Sequence, residues 1–261
     1  MTLLFHEIRK NRISLFIWTA AISFMLGVCI VIFPEMAGQM GEMENMFSEM
    51  GAFTEAFGMD RINFGEFIGY FGIECGNVLG MGGAFFAAVT GVIALSSEES
   101  HNTAEFLLSH PISRKKIVGL KLLSVIAQII ILNLVVIGIV TLLTAIIIDN
   151  PPYKTMLLIY LAYFILQLET AFICFGISAF VKFNAIGLGI GVGFLFYMTN
   201  IISNITDDLK FLKYITPFSY TDSADIITNN HLTYKYVIIG IAFALIGIIS
   251  AFIKYGKKDI S

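Results

Sequence analysis

The chain has 261 residues, of which 57% are apolar or aromatic and only 13% charged, with a mean hydropathy of +0.84. A soluble domain of this size could not cover that much apolar surface, and the composition equally excludes a disordered chain. Sixteen Lys and Arg against 19 Asp and Glu give a net charge of −3, which excludes the basic footprint of a nucleic-acid binder. The composition points to one all-α, polytopic membrane domain over residues 1–261. Cys29, Cys75 and Cys174 each sit inside an apolar run, so they read as packing residues rather than a disulfide framework.

Six stretches reach the roughly 20 mostly apolar residues that a spanning helix needs. They run over about 13–33, 67–95, 118–148, 155–181, 185–202 and 236–255. The first, Ile13 to Phe33, is too long for a signal peptide, has no small-residue cleavage site after it, and is expected to stop at Pro34. The second and third exceed the bilayer thickness and must tilt or extend into water. The third is stopped by Asp149, Asn150, Pro151 and Pro152. The fourth and fifth are separated only by Lys182, Phe183 and Asn184, a tight hairpin.

Lys and Arg set the orientation. Arg9, Lys10, Arg12, Arg114, Lys115, Lys116, Lys121, Lys182, Lys254, Lys257 and Lys258 fall on one side. Only Arg61, Lys154, Lys210, Lys213 and Lys235 fall on the other. Both termini and the 96–117 loop are thereby expected in the cytoplasm, with residues 34–66 and 203–235 outside.

In the outer stretch 35–59, Met36, Met40, Met43, Phe47, Met50, Phe53 and Phe57 follow one another at spacings of four and three, one apolar helical face. Glu35, Glu42 and Glu49 recur on another face. The stripe reads as packing, as an adaptable surface for apolar ligands, or as thioether ligands for Cu(I), the last weakened by the Phe residues and the lack of nearby His or Cys. In 203–235, Asp207 and Asp208 before Leu209 to Ile215, a break at Pro217, and Asp222 to Ile227 predict two short helices. Gly65, Gly69, Gly72, Gly76 and Gly80 in the second span, and Gly187, Gly189, Gly191 and Gly193 in the fifth, permit close helix approach. They serve either tight packing or sliding faces.

Glu169 and Gln167 lie in the fourth span, Glu74 in the second, and Gln128 and Asn133 in the third. A carboxylate at membrane depth is costly unless paired, protonated or wet. Glu74, Asn133, Gln167 and Glu169 are therefore candidates for the lining of a translocation route, or for hydrogen bonds between helices.

The cytoplasmic loop carries the most specific pattern. Glu98, Glu99 and Ser100 precede Asn102, Thr103, Glu105, Phe106, Leu107, Leu108 and Ser109, then Pro111, Ile112, Ser113, Arg114, Lys115 and Lys116. Asn102 or Thr103 can cap a short helix with Glu105 in its first turn, Pro111 ends it, and Ser113 can cap the next helix. Such a helix either lies on the headgroups or transmits force from a soluble partner. Thr103, Glu105, Leu107, Leu108, Ser109, Pro111, Ile112, Ser113, Arg114 and Lys121 resemble, in register, the signature loop of permease subunits of type 2 ABC exporters, with Asn102 where Gly is usual. A weaker likeness lies in Tyr214, Ile215, Thr216, Pro217, Phe218, Ser219 and Tyr220. The resemblance implies a permease that pairs with a second permease copy or homologue and with ABC ATPase subunits, in a bacterial plasma membrane. It makes Asn102 to Ser109 a coupling helix, flanked by Glu98, Glu99, Pro111 and Arg114, and Thr2 to Arg12 an amphipathic elbow helix. It also makes 203–235 a re-entrant pair.

No G-x-x-x-x-G-K-[ST] motif occurs. ATP and Mg are thus expected on the partner ATPase, with no cofactor and no metal on this chain. No H-E-x-x-H or G-x-S-x-G is present either, which weighs against a membrane-embedded enzyme. A non-pumping immunity or sensor protein is the other alternative. Related permeases move antimicrobial peptides, drugs, lipids, polysaccharides or ions. The Met/Phe stripe and acidic outer segments fit a cationic amphipathic peptide or drug.

Overall fold

The computed structural model describes residues 2–38, 54, 61–100, 112–205 and 207–257. The described residues are helical and contain no strand. A short helix, α1 (Thr2–Lys10), ends at Asn11. The six long apolar elements then follow as α2 (Arg12–Ala37), α3 (Phe67–Cys75) running through a π-helical segment (Gly76–Met81) into α4 (Gly82–Ser100), α5 (Arg114–Ile147), α6 (Tyr153–Ser178), α7 (Ile186–Ile205) and α9 (Tyr234–Lys257). Each of the six is long and apolar enough to cross a membrane. Between α7 and α9 lie two 3₁₀ segments, Asp207–Tyr214 and Pro217–Tyr220, and the short α8 (Ser223–Asn229).

The expected spans agree with these helices to within a few residues, with three differences. Helix α2 does not stop at Pro34 but continues to Ala37. Proline removes only the hydrogen bond to the carbonyl one turn back, and in an apolar surround the neighbouring bonds have no water competing for them. Helix α5 begins at Arg114, so its first turn is charged, as the Ser113 to Lys116 pattern predicts, and the difference lies in the cap itself. Ser113 occupies the cap position in extended backbone, but its side chain makes no capping bond, and its carbonyl accepts from the backbone N–H groups of Lys116 and Ile117. The 203–235 stretch forms three short helical pieces rather than two. Pro217 opens a 3₁₀ turn of its own, because Thr216 Oγ1 accepts from the Phe218 N–H and the proline ring suits the first helical position. Asp222 likewise caps α8 by accepting from the Ala224 N–H, and α8 ends on Asn230 at a φ of 55°, the left-handed cap that Asn tolerates.

The second span is the axle of the bundle. Of its most apolar stretch 72% is buried, against 17% for α7. Helix α4 packs chiefly on α6 and α7, α6 also on α9, and α2 on α5. Glycines set the closest approaches. A Cβ on Gly176 would lie 2.6 Å from Gly247 Cα, and one on Gly189 2.9 Å from Val89 Cα, so α6/α9 and α7/α4 meet backbone to backbone. Gly189 and Gly193 are thus packing residues against α4. Gly187 and Gly191, on the other side of the same helix, face open space.

Candidate functional site

The basic termini of the helices gather at one end of the bundle, where a buried charge cluster forms. Lys121, about two turns into α5, is 0% exposed. Its ammonium donates to Glu7 Oε1 of α1 at 3.0 Å and to the Ala94 carbonyl of α4 at 2.8 Å, and pairs with Glu98 Oε2 of α4 at 2.7 Å. Three acceptors thereby meet its three N–H donors. Lys10 completes the set, donating to Ser97 Oγ at 3.2 Å and lying 3.7 Å from Glu98 Oε1. A single cation therefore ties α1 to both α4 and α5, the helices that lead into and out of residues 101–111.

A buried ion pair adds little net stability, because desolvation offsets the attraction, but it penalises separation of its members strongly. Parting α1 from the ends of α4 and α5 would thus separate buried charges. The sequence marks Glu98 and Lys121 but not Glu7 or Lys10. The available signal was Glu7 itself, the one acid in a short helix otherwise carrying Arg9 and Lys10.

Of the other loop residues singled out in the sequence, Glu99 lies within α4 and Arg114 is half-buried at the start of α5. Asn102, Thr103, Glu105, Phe106, Leu107, Leu108, Ser109 and Pro111 fall outside the described residues. Of the outer stripe, Met36 is partly buried against the core at the end of α2, and Met40, Met43, Phe47 and Met50 also fall outside the described residues.

The four polar candidates in the spans separate into three places. Asn133 Nδ2 donates to Gln167 Oε1 at 2.6 Å and to the Ile129 carbonyl at 2.9 Å, a buried bridge between α5 and α6. Cys29 Sγ of α2 donates to Glu74 Oε2 at 3.6 Å. Glu169, 2% exposed, accepts from the Tyr220 hydroxyl at 2.7 Å, while its Oε1 has no hydrogen-bond partner. Its carboxylate also abuts Gly240 of α9, where a Cβ would collide with it. Glu169 thus touches α9 and the 217–220 turn together, a role that its position in the sequence did not reveal.

The 207–229 segment caps the opposite end of the bundle through a ring of hydrogen bonds. Thr216 Oγ1 donates to the Phe196 carbonyl at 2.8 Å, Ser223 Oγ to the Gly72 carbonyl at 2.7 Å, and the Tyr163 hydroxyl to the Thr221 carbonyl at 3.1 Å. A Cβ on Gly72 would lie 2.8 Å from Ser223 Cβ, so only a residue this small admits α8. Arg61 clamps the rim, pairing with Asp222 and, at 2.8 Å, with Asp225. These ions are partly exposed, so Arg61→Ala is expected to change stability by less than about 1 kcal/mol. It should nevertheless let α8 lift more often. A reporter cysteine, Ala224→Cys, should react with a water-soluble maleimide several-fold faster in that background, and an unchanged rate would show that the hydrogen bonds alone hold α8.

The family model described as ABC-2 family transporter protein matches residues 1–260. No curated protein and no solved structure is similar enough to match. With six helices able to cross a membrane and a family match over essentially the whole length, the chain is a multi-pass membrane protein of the ABC-2 transporter family, a permease rather than an ATPase subunit.

Proposed function

We propose that this permease couples ATP hydrolysis on a separate ABC ATPase to export of a substrate, working with a second permease copy or homologue in a bacterial plasma membrane. ATP and Mg belong to the ATPase. The end of the bundle bearing Lys121 faces the cytoplasm, in keeping with the eleven-to-five division of bases. Residues 102–109 dock in the ATPase, and α1 lies on the inner leaflet as an elbow.

The observation that carries this reading is the Lys121 cluster. It links both helices flanking the proposed docking segment to the elbow, so a push on that segment reaches the bundle as a movement of α1, α4 and α5 together. The Met/Phe stripe and the acidic outer segments favour a cationic amphipathic peptide or drug as substrate, which a screen for ATPase stimulation in the purified complex would identify.

Co-purification tests the coupling reading. Glu105→Arg or Leu107→Asp should abolish recovery of the ATPase with the permease while leaving the permease monodisperse in detergent. An intact complex in both variants would remove the docking assignment.

A further inference from the structure

Beside the Lys121 cluster lies a cavity of about 290 Å³ between α1, the last turns of α4 and the start of α7. Its wall is divided. Glu7, Lys10, Asn11, Ser97 and Asn184 make one part polar, and Ile93 and Ile186 make another apolar. Few ligands want both characters in so small a volume, at the level where a helical bundle leaves the hydrocarbon. A phospholipid does, at the junction of its phosphate and its glycerol backbone.

The charge balance decides which phospholipid. Glu7 and Glu98 are neutralised by Lys121 and Lys10. Arg9 and Arg12 adjoin Lys10 and Asn11 in sequence and are both exposed, so three bases stand against one acid over residues 1–12, a balance that attracts anionic headgroups to this end of the bundle. The donors are also differently committed. Lys121 has all three N–H groups engaged, whereas Lys10 gives one hydrogen bond, to Ser97, and is 38% exposed. Lys10 can therefore point an N–H at a phosphate while still reaching Ser97.

We propose that this cavity seats the phosphate of an anionic phospholipid, held by Lys10 with the side-chain amides of Asn11 and Asn184, its glycerol against Ile93 and Ile186. The site goes beyond export itself. A lipid there contacts the elbow, the coupling end of α4 and the fourth-to-fifth hairpin at once, so its occupancy sets how firmly those three parts are joined. Only the choice of leaflet rests on the orientation proposed above.

Lipid retention on the purified permease tests the site without an ATPase or a substrate. The protein in detergent is given equimolar phosphatidylglycerol and phosphatidylcholine, and bound lipid is counted by native mass spectrometry. The wild type is expected to keep one phosphatidylglycerol per chain with about tenfold preference over phosphatidylcholine. Lys10→Glu should reduce the preference to parity. Asn184→Trp, which fills the mouth without altering charge, should do the same. Lys154→Glu, on the far side of the membrane, should leave it unchanged. Parity in the wild type, or a preference that survives both cavity variants, would overturn the proposal. So would displacement of the lipid by millimolar inorganic phosphate or glycerol 3-phosphate, which would make this a site for free anions. Detergent has no leaflets, so this preference does not depend on the orientation proposed above, and the two readings fail separately.

Discussion

Lys121→Met is expected to destabilise the protein by about 3–5 kcal/mol, chiefly the cost of leaving the buried Glu7 carboxylate without its lysine. Glu7 and Glu98 are 4% and 7% exposed, so neither is well hydrated in the folded bundle. The same change takes a donor from Glu7 Oε1 and from the Ala94 carbonyl, whereas Glu98 keeps Ser97 Oγ at 3.2 Å and Lys10 at 3.7 Å. Thermal unfolding in detergent should show the loss directly. Adding Glu7→Gln and Glu98→Gln to Lys121→Met removes the stranded charges, and most of the stability should return. Coupling should not return with it, because neutral side chains no longer penalise separation of α1 from α4 and α5. A triple variant that melts near the wild type, binds the ATPase and fails to transport would separate the mechanical role of the cluster from its structural one. Normal transport by that variant would refute the mechanical role.

Tyr220→Phe should be the most damaging small change at the other end of the bundle. The Tyr220 hydroxyl is the hydrogen-bond donor to Glu169, whose second oxygen is already without a partner. Removing it leaves a buried carboxyl with no donor, at a cost of about 1–3 kcal/mol or more. Glu169→Gln is milder, because an amide oxygen still accepts from Tyr220 and carries no charge. It is expected to leave assembly intact and to lower transport, since the ionisable group that joins α6, α9 and the 217–220 turn is gone. The double variant should be less unstable than the sum of its parts, as expected for residues in contact. Transport assays in proteoliposomes, with unfolding curves on the same preparations, distinguish these outcomes. Unimpaired export by Glu169→Gln would reduce that residue to a packing element.

The spans were legible because apolar runs of 20 residues or more have few alternatives once soluble folds are excluded. Their ends were less so, for a local reason in each case. Pro34 is a stop signal only where water can take over the freed carbonyl. The charged turn Arg114 to Lys116 was legible as the start of its helix, but not that the backbone carbonyl of Ser113, rather than its hydroxyl, begins the hydrogen-bond ladder. The site was legible in fragments. Glu98 and Lys121 were visible as members of a patterned loop, and Tyr220 as a member of a weaker pattern, but pairing is a property of the fold. No periodicity places Glu7 against a lysine 114 residues further on, and none brings Asn133 to Gln167 while sending Glu169, two residues away on the same helix, to a different neighbour.

The wide turn at Gly76–Met81 governs more than its own neighbourhood. Gly76 and Gly80 abut Tyr163, Gly83 abuts Gln167, and Gly91 abuts Ala171, all on α6. From Gly76 to Gly91 is fifteen residues, whereas four turns of an α-helix take about 14.4. A regular helix would therefore let this seam drift sideways off α6, and the π segment absorbs the surplus. Glu98 lies seven residues beyond Gly91, close to two whole turns, and inherits the same angular setting. Shortening the segment by one residue would turn everything beyond it by about 100° and carry Glu98 out of line with Lys121. The rotational phase of the central helix, fixed in its first half, decides whether the charge cluster at its far end can form.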